Sequence, residues 1–282
     1  MNILVTGSNG QLGSEIKQIA QTEKSFQFFF TDVAELDITD IDAINTFCQE
    51  NKINVIVNCA AYTAVDKAED EPEMALLINA TAVKNLAEAA KQNGAKLIHV
   101  STDYVFDGTA CTPYATDAST SPTSVYGNTK LKGEQMAMEA LADAIIIRTS
   151  WLYSVYGNNF VKTMMRLGQE RDSLNVVFDQ IGSPTNAACL ADAIIEIIRQ
   201  NCKVSGVFHF SNEGVCSWYD FAYSIMKKRN ITCSLFPVDS SGFPTKATRP
   251  HYSVMDKKRI KESYNINIPH WEEALHACLE KL

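Results

Sequence analysis

The sequence predicts an α/β fold: a doubly wound parallel sheet with a smaller, discontinuous second lobe. Three observations carry this expectation. Short apolar runs alternate with segments of helical period through the first half of the chain. The run "INVIVNCAA" (53–61) is apolar almost without a break, as a strand covered on both faces requires. Four segments, "TGSNGQLG", "NCAAYTAVD", "STDYVFDG" and "RTSWLY", follow such runs at their carboxyl ends, where ligands of these sheets bind.

Taken in order, "NILVT" (2–6) is the first strand, and the spacing of "QLGSEIKQIAQT" predicts the first helix. "FQFFFTD" (26–32) is the second strand and "DIDAINTFCQEN" (40–51) the second helix. After the strand at 53–61, "EMALLINATAVKNLAEAAKQNG" (73–94) reads as one long helix stopped by Gly94. "KLIHVST" (96–102) and "AIIIRTS" (144–150) are further strands, with Tyr126 at the start of the helix between them. Beyond about residue 150 come a helix in "NNFVKTMMRLGQE", a strand in "LNVVFD", a helix in "LADAIIEIIRQN" and a strand in "VFHFSN". Helices are expected around 217–229 and 270–281, with Pro- and Ser-containing connections near 237–250. This places a nucleotide-binding domain at 1–150 plus about 186–212, and the second lobe at about 151–185 and 213–282.

With 282 residues, 46% apolar and 21% charged, the chain has the composition of a soluble globular protein. A net charge of -8 argues against a nucleic-acid partner, which calls for a basic stripe. No apolar run is long enough for a membrane span, and "MNILVTGSNG" lacks the basic flank and cleavage site of a signal peptide. Eight scattered cysteines without Cys-x-x-Cys predict reduced, buried thiols in a cytoplasmic protein. The histidines have no metal-ligand spacing, so no metal is expected.

Gly7, Gly10 and Gly13 stand three apart, directly after the first strand and opening the first helix. Glycine permits the tight turn and the close approach of a diphosphate, and a helix N-terminus offers free N–H groups and a positive dipole end. The spacing predicts a Rossmann-type dinucleotide site that includes Gln11 and Leu12. Asp32 ends the second strand about 20 residues on, where an acid accepts hydrogen bonds from the adenosine ribose and disfavours a 2′-phosphate. Asp37 and Ile38, in "LDITD", are candidates for the adenine pocket.

Tyr-x-x-x-Lys occurs twice, at Tyr126–Lys130 and Tyr223–Lys227. Tyr223 shares an amphipathic helix with Trp218, Phe221, Ile225 and Met226, where a packed aromatic is expected. Tyr126 follows a Pro122 turn in the ligand-binding crevice. A free phenol titrates near pH ~10; an ammonium one helical turn away favours the phenolate and lowers that value.

With the TGxxGxxG start, the acid after the second strand, "NCAAYT", "STDYVFDG" and Tyr-x-x-x-Lys in that order, the chain resembles the extended short-chain dehydrogenase/reductase superfamily. Within it, "AYTAVDKAEDEPE", "STDYVFDGT", "YGNTKLKGE", "RTSWLY", "GNNFVKTM" and "RPHYS" resemble the dTDP-4-dehydrorhamnose reductase family, from Met1 to about residue 255. The resemblance implies reduction of the C4 keto group of dTDP-4-dehydro-L-rhamnose by NADPH or NADH, giving dTDP-L-rhamnose for surface polysaccharide. It implies that Tyr126 is the general acid and that Lys130 also binds the nicotinamide ribose. Thr102 would polarise the carbonyl; Ser101 is its rival, since alternation along a strand sends the two hydroxyls to opposite faces.

Ala61, Tyr62 and Thr63 would pass the cofactor ribose and diphosphate, and Val100 would touch the cofactor. Asp103, Tyr104 and Trp151 would line the substrate pocket, and Arg249 would clamp the substrate diphosphate, which suits a guanidinium. The resemblance further implies a small-molecule dTDP-sugar partner and a homodimer. Sugar-nucleotide epimerases and dehydratases share the glycines and the Tyr–Lys pair. So does a non-catalytic relative, the regulatory subunit of methionine adenosyltransferase. "TDYVFDG" and "RTSWLY" favour the reductase.

Overall fold

Alternating apolar residues become buried strands here because each face of the sheet finds its own layer of helices. The computed structural model describes residues 1–282. Its first half runs β1 (Asn2–Thr6), α1 (Gln11–Thr22), β2 (Gln27–Thr31), α2 (Ile41–Glu50), β3 (Val55–Asn58), α3 (Val65–Ala68), α4 (Pro72–Leu76), α5 (Ala82–Gln92), β4 (Lys96–Thr102), α6 (Val125–Ala140) and β5 (Ile145–Thr149). There follow β6 (Leu152–Tyr153), α7 (Phe160–Glu170), β7 (Ser173–Val177), β8 (Ile181–Gly182), β9 (Thr185–Asn186), α8 (Ala187–Arg199) and β10 (Gly206–His209). The chain ends with β11 (Cys216–Ser217), α9 (Trp218–Lys228), β12 (Ser234–Val238), α10 (Lys258–Tyr264) and α11 (Trp271–Leu279).

A six-stranded sheet in the order β10-β5-β4-β3-β1-β2 forms the centre, every pairing parallel. Ile3, Val5, Val57, Ile98 and Ile147 point into a core shared with α1 and α8. Their neighbours Leu4, Ile56, Leu97 and Ile146 point the other way, against α2, α5 and α6. Each fully buried side chain of this size contributes roughly 1.5–3 kcal/mol, so the two-sided burial outweighs any local propensity. The carboxyl ends of the strands, with the loops after β1, β3, β4 and β5, are left to line a common cavity.

The long helix expected at 73–94 is interrupted. Between α4 and α5 lies a π-helical turn, Leu77–Thr81, and α5 stops just before Gly94, which holds φ +66°. The wider turn aims buried Asn79 outward: its amide accepts from Tyr62 N at 2.9 Å and donates to Tyr62 O at 3.1 Å and to Thr129 Oγ1 at 3.2 Å. Three bonds from one side chain tie the loop after β3 to α6.

A third core joins Tyr153, Val161, Met164, Leu174, Phe221 and Trp271, drawn from β6, α7, β7, α9 and α11. The strand β12, which the sequence reading did not anticipate, pairs in parallel with β7. Pro237 hid it, since proline removes a ladder donor and is tolerated only at a sheet edge. The lobe expected over 213–282 is not uniform. Ile260, Tyr264 and Ile268 leave it and pack in the core of the large sheet, where Tyr264 meets Phe208 at 5.7 Å between ring centres. All eight cysteines are free; five are buried, whereas Cys111 is exposed, contrary to the expectation of uniformly buried thiols. No helix is long and apolar enough to cross a membrane.

Candidate active site

A cavity of about 730 Å³ runs along the carboxyl ends of the strands. At one end, Gly10 caps α1 without any side-chain hydrogen bond, and the N–H groups of Gln11, Leu12 and Gly13 meet no protein acceptor. Free donors at a positive dipole end fit a diphosphate. Gly7 holds φ +63°, and a Cβ there would stand 2.6 Å from Ala60 Cα, so only glycine brings this turn against the loop after β3. Gly10, Gln11 and Leu12 line the cavity beside Gly7. Gly13 does not: it faces the Ser8 backbone and lets α1 pack closely on its own loop.

Asp32 lines the same end, its Oδ2 accepting from Asn9 N at 3.1 Å and its Oδ1 from Val33 N at 2.9 Å. Asp37 and Ile38 line it as well. The Asp37 carboxylate accepts from Thr39 N and Oγ1, bonds that hold it below the usual carboxylate range. Ala61 and Thr63 border the middle of the cavity, but the Tyr62 side chain does not; its hydroxyl donates to Glu71 at 2.7 Å.

The chemistry-bearing end is built by β4, the turn after it, and α6. Ser124 caps α6 by accepting from Gly127 N at 3.1 Å. That start places Tyr126 and Lys130 one turn apart, and both line the cavity with Val100, Thr102, Asp103 and Tyr104. Tyr126 is 9% exposed and its ring meets that of Tyr104 edge-on at 5.4 Å. By contrast Tyr223 is 54% exposed, not packed, because Phe221, Ala222, Ile225 and Met226 occupy the inward face of α9.

Burial pushes the Tyr126 phenol up, and the Thr102 hydroxyl beside it pulls partly back. The expected acidification by Lys130 is absent here. The lysine is 1% exposed, donates to Val100 O at 2.7 Å and approaches His99 Nε2 at 3.3 Å. Burial brings its own amine down to about 8. Burial likewise raises the Asp103 carboxyl to about 6, although Thr102 Oγ1 donates to its Oδ1 at 3.0 Å. The two rival hydroxyls have separate partners: Ser101 Oγ donates to Glu134, which is itself in a buried ion pair with Arg148 at 2.7 Å, and only Thr102 adjoins Tyr126.

The whole chain, residues 1–282, matches the family model described as RmlD substrate binding domain. The chain belongs to this family. It is 39% identical to the dTDP-4-dehydrorhamnose reductase of Escherichia coli K12, over 100% of this chain and 98% of that protein. A crystal structure of a dTDP-4-dehydrorhamnose reductase from Clostridium acetobutylicum superposes with a TM-score of 0.95 at 44% identity, covering 100% of this chain and 99% of the other. One from Bacillus anthracis, solved in complex with NADP, gives a TM-score of 0.95 at 40% identity, with the same coverage of 100% and 99%.

In this member of the RmlD substrate binding domain family, the far wall of the cavity comes from the chain just after β5. Trp151 lines it, held at φ +48° with its ring stacked on Trp218 at 3.6 Å and its edge against Gly182. Arg249 stands outside the lining residues, its Nη2 donating to Asp66 at 2.9 Å. It also meets Tyr104, whose phenol is raised to about 12 by burial and drawn back by that guanidinium. The sequence reading overlooked Asn58, Asn79 and His99. Each is polar and fully buried, and a polar residue inside an apolar run was the available signal.

Proposed function

We propose that this protein reduces the C4 keto group of dTDP-4-dehydro-L-rhamnose with NADPH or NADH, giving dTDP-L-rhamnose for surface-polysaccharide biosynthesis. The observation that carries the reading is one continuous cavity holding both a glycine loop with free N–H donors and the Thr102–Tyr126–Lys130 group. Gln11, Leu12 and the turn at Gly7 would hold the dinucleotide diphosphate, and Asp32 the adenosine ribose. When bound, the reduced nicotinamide supplies the hydride.

Tyr126 would give its proton to the C4 oxygen. Its burial suits that role, since a phenol kept protonated is a donor until the oxygen beside it becomes basic. Thr102 would donate to the same oxygen as charge develops there. Asp103, Tyr104 and Trp151 would orient the sugar. Arg249 would reach the substrate diphosphate on exchanging its Asp66 partner for phosphate. The same reading places the enzyme in the cytoplasm, consistent with eight free thiols, and makes it a homodimer, which sedimentation would test.

The deciding assay mixes the purified protein with dTDP-4-dehydro-L-rhamnose and each reduced cofactor in turn. Loss of the reduced-nicotinamide absorbance with formation of dTDP-L-rhamnose is expected. Conversion of dTDP-glucose without an added reductant would favour the dehydratase reading, and binding without turnover the non-catalytic one.

A further inference from the structure

A row of polar side chains crosses the interior of the sheet beneath the cavity. The register sets Thr6 of β1 beside Asn58 of β3, and Asn58 beside His99 of β4, and all three are buried. Thr6 Oγ1 donates to Asn58 Oδ1 at 2.7 Å, and Ala60 N donates to the same oxygen at 3.1 Å. A backbone N–H can only donate, so the amide of Asn58 has one permitted orientation. Its Nδ2, also a donor, then lies 2.9 Å from His99 Nδ1. That ring nitrogen must therefore be bare. Burial holds His99 well below its ordinary value, so the ring is neutral and its single proton sits on Nε2.

The Nε2–H faces Lys130 Nζ at 3.3 Å. An ammonium has three donors and no lone pair, and would meet this N–H with hydrogens of its own. A neutral amine accepts from Nε2–H while donating to Val100 O at 2.7 Å. Of the charges around it, the Glu134 carboxylate favours the ammonium, but burial outweighs it. On α6, Glu134 is paired with Arg148 of β5 and bonded to Ser101, and Tyr126 is kept protonated by burial. After α3, Glu69 takes the Val125 N–H at 2.9 Å. Beyond β3 the Cys59 thiol is raised by burial to about 12, Asp103 accepts from Thr102, and the turn before α5 presents neutral Asn79.

We propose that Asn58 locks His99 in its Nε2–H tautomer and that His99, as a positioning residue, holds Lys130 as a neutral amine in the free protein, so that binding an anionic dinucleotide draws a proton from solvent onto it. The last clause rests on the cofactor reading above; the rest concerns the free chain. Lys130 would then acquire its charge only when the cofactor brings oxygen acceptors and negative charge, and the site would not hold an uncompensated ammonium while waiting.

The test uses the full chain with ¹⁵N-labelled histidine and ¹³Cε-labelled lysine, His99 and Lys130 being assigned through His99→Gln and Lys130→Met. The expected spectra show a neutral Nε2–H ring for His99 between about pH 6 and 9. The Lys130 ε-carbon should titrate at least about two pH units below the solvated lysines. Asn58→Asp offers Nδ1 an acceptor in place of a donor. It should switch His99 to the Nδ1–H form and raise the Lys130 midpoint by about one pH unit or more. Calorimetry of NADPH and NADH binding near pH ~8, in buffers of different ionisation enthalpy, should report uptake of a fraction of a proton by the wild type and less by Asn58→Asp. An Nδ1–H or doubly protonated ring in the wild type, a Lys130 that titrates with the surface lysines, or binding without proton uptake overturns the proposal. If neither dinucleotide binds, the functional reading and the uptake clause both fail, while the free-protein spectra still decide the tautomer and the amine.

Discussion

Tyr126 and Lys130 stand one turn apart on α6, yet different neighbours govern them: Thr102 and a dry surrounding for the phenol, Val100 O and His99 for the amine. Tyr126→Phe removes the hydroxyl and leaves the ring contact with Tyr104 in place. Turnover should fall roughly 10²–10⁴-fold while dinucleotide affinity, read by fluorescence titration, stays within about threefold. Turnover near that of the wild type would remove Tyr126 as the acid. Asp32 governs a different choice. Its carboxylate lines the glycine-loop end of the cavity, where on the proposed reading it would repel a 2′-phosphate. Asp32→Ser should raise the ratio of kcat/KM for NADPH over NADH by about tenfold, equivalent to about 1.4 kcal/mol. An unchanged ratio would mean the carboxylate never meets that position.

Between elements, the closest joint is the one where α6 crosses the π-helical turn. Gly133 lies directly over the Asn79 carbonyl, and any Cβ would overlap it. Backbone cannot yield as a flexible side chain does, so Gly133→Ala should destabilise by about 1–3 kcal/mol, measured by chemical denaturation. The Asn79 amide also holds the backbone of Tyr62, so the loop that borders the cavity would move with it. Weaker dinucleotide binding in this variant is therefore expected, and unaltered stability would show that α6 can retreat from the turn. The apolar residues of 73–94 keep a helical spacing on both sides of the turn, which is why it reads as one helix, and Asn79 is the one buried polar residue that interrupts them there. Nothing local records where α6 will press.

Across the molecule, buried titratable groups set how stability follows pH. Burial, with the Arg148 charge behind it, lowers His209 from 6.5 to about 3, and burial lowers His99 as well. For a histidine lowered on folding, the native state binds fewer protons than the unfolded chain. Its contribution is present above about pH 6.5 and is lost as the pH falls toward the folded value. Asp103 runs the other way: raised from 3.8 to about 6, it favours the fold below 3.8 and loses that contribution as pH rises through 6. Two histidines oppose one acid, so the denaturation free energy should fall between pH 7 and pH 5 (about the range in which histidines titrate). His209→Gln should flatten that decline. Asp103→Asn should steepen it and add up to about 3 kcal/mol above pH 6, where the buried carboxylate is costly. A stability profile level across this range would contradict both assignments.

The sequence by itself determined the order of strands and helices in the first half, the glycine turn at Gly7 and Gly10, and the start of α6 near Tyr126 after the Pro122 turn. Periodicity, turn chemistry and capping act over a few residues, and each was written locally. Tertiary structure alone decided which Tyr–Lys pair is dry, that α10 joins the large sheet, and that Arg249 rests on Asp66. It also aligned Thr6, Asn58 and His99, residues from strands far apart in the chain, into one row. Desolvation and register depend on what other segments bring alongside, and no window of sequence contains that information.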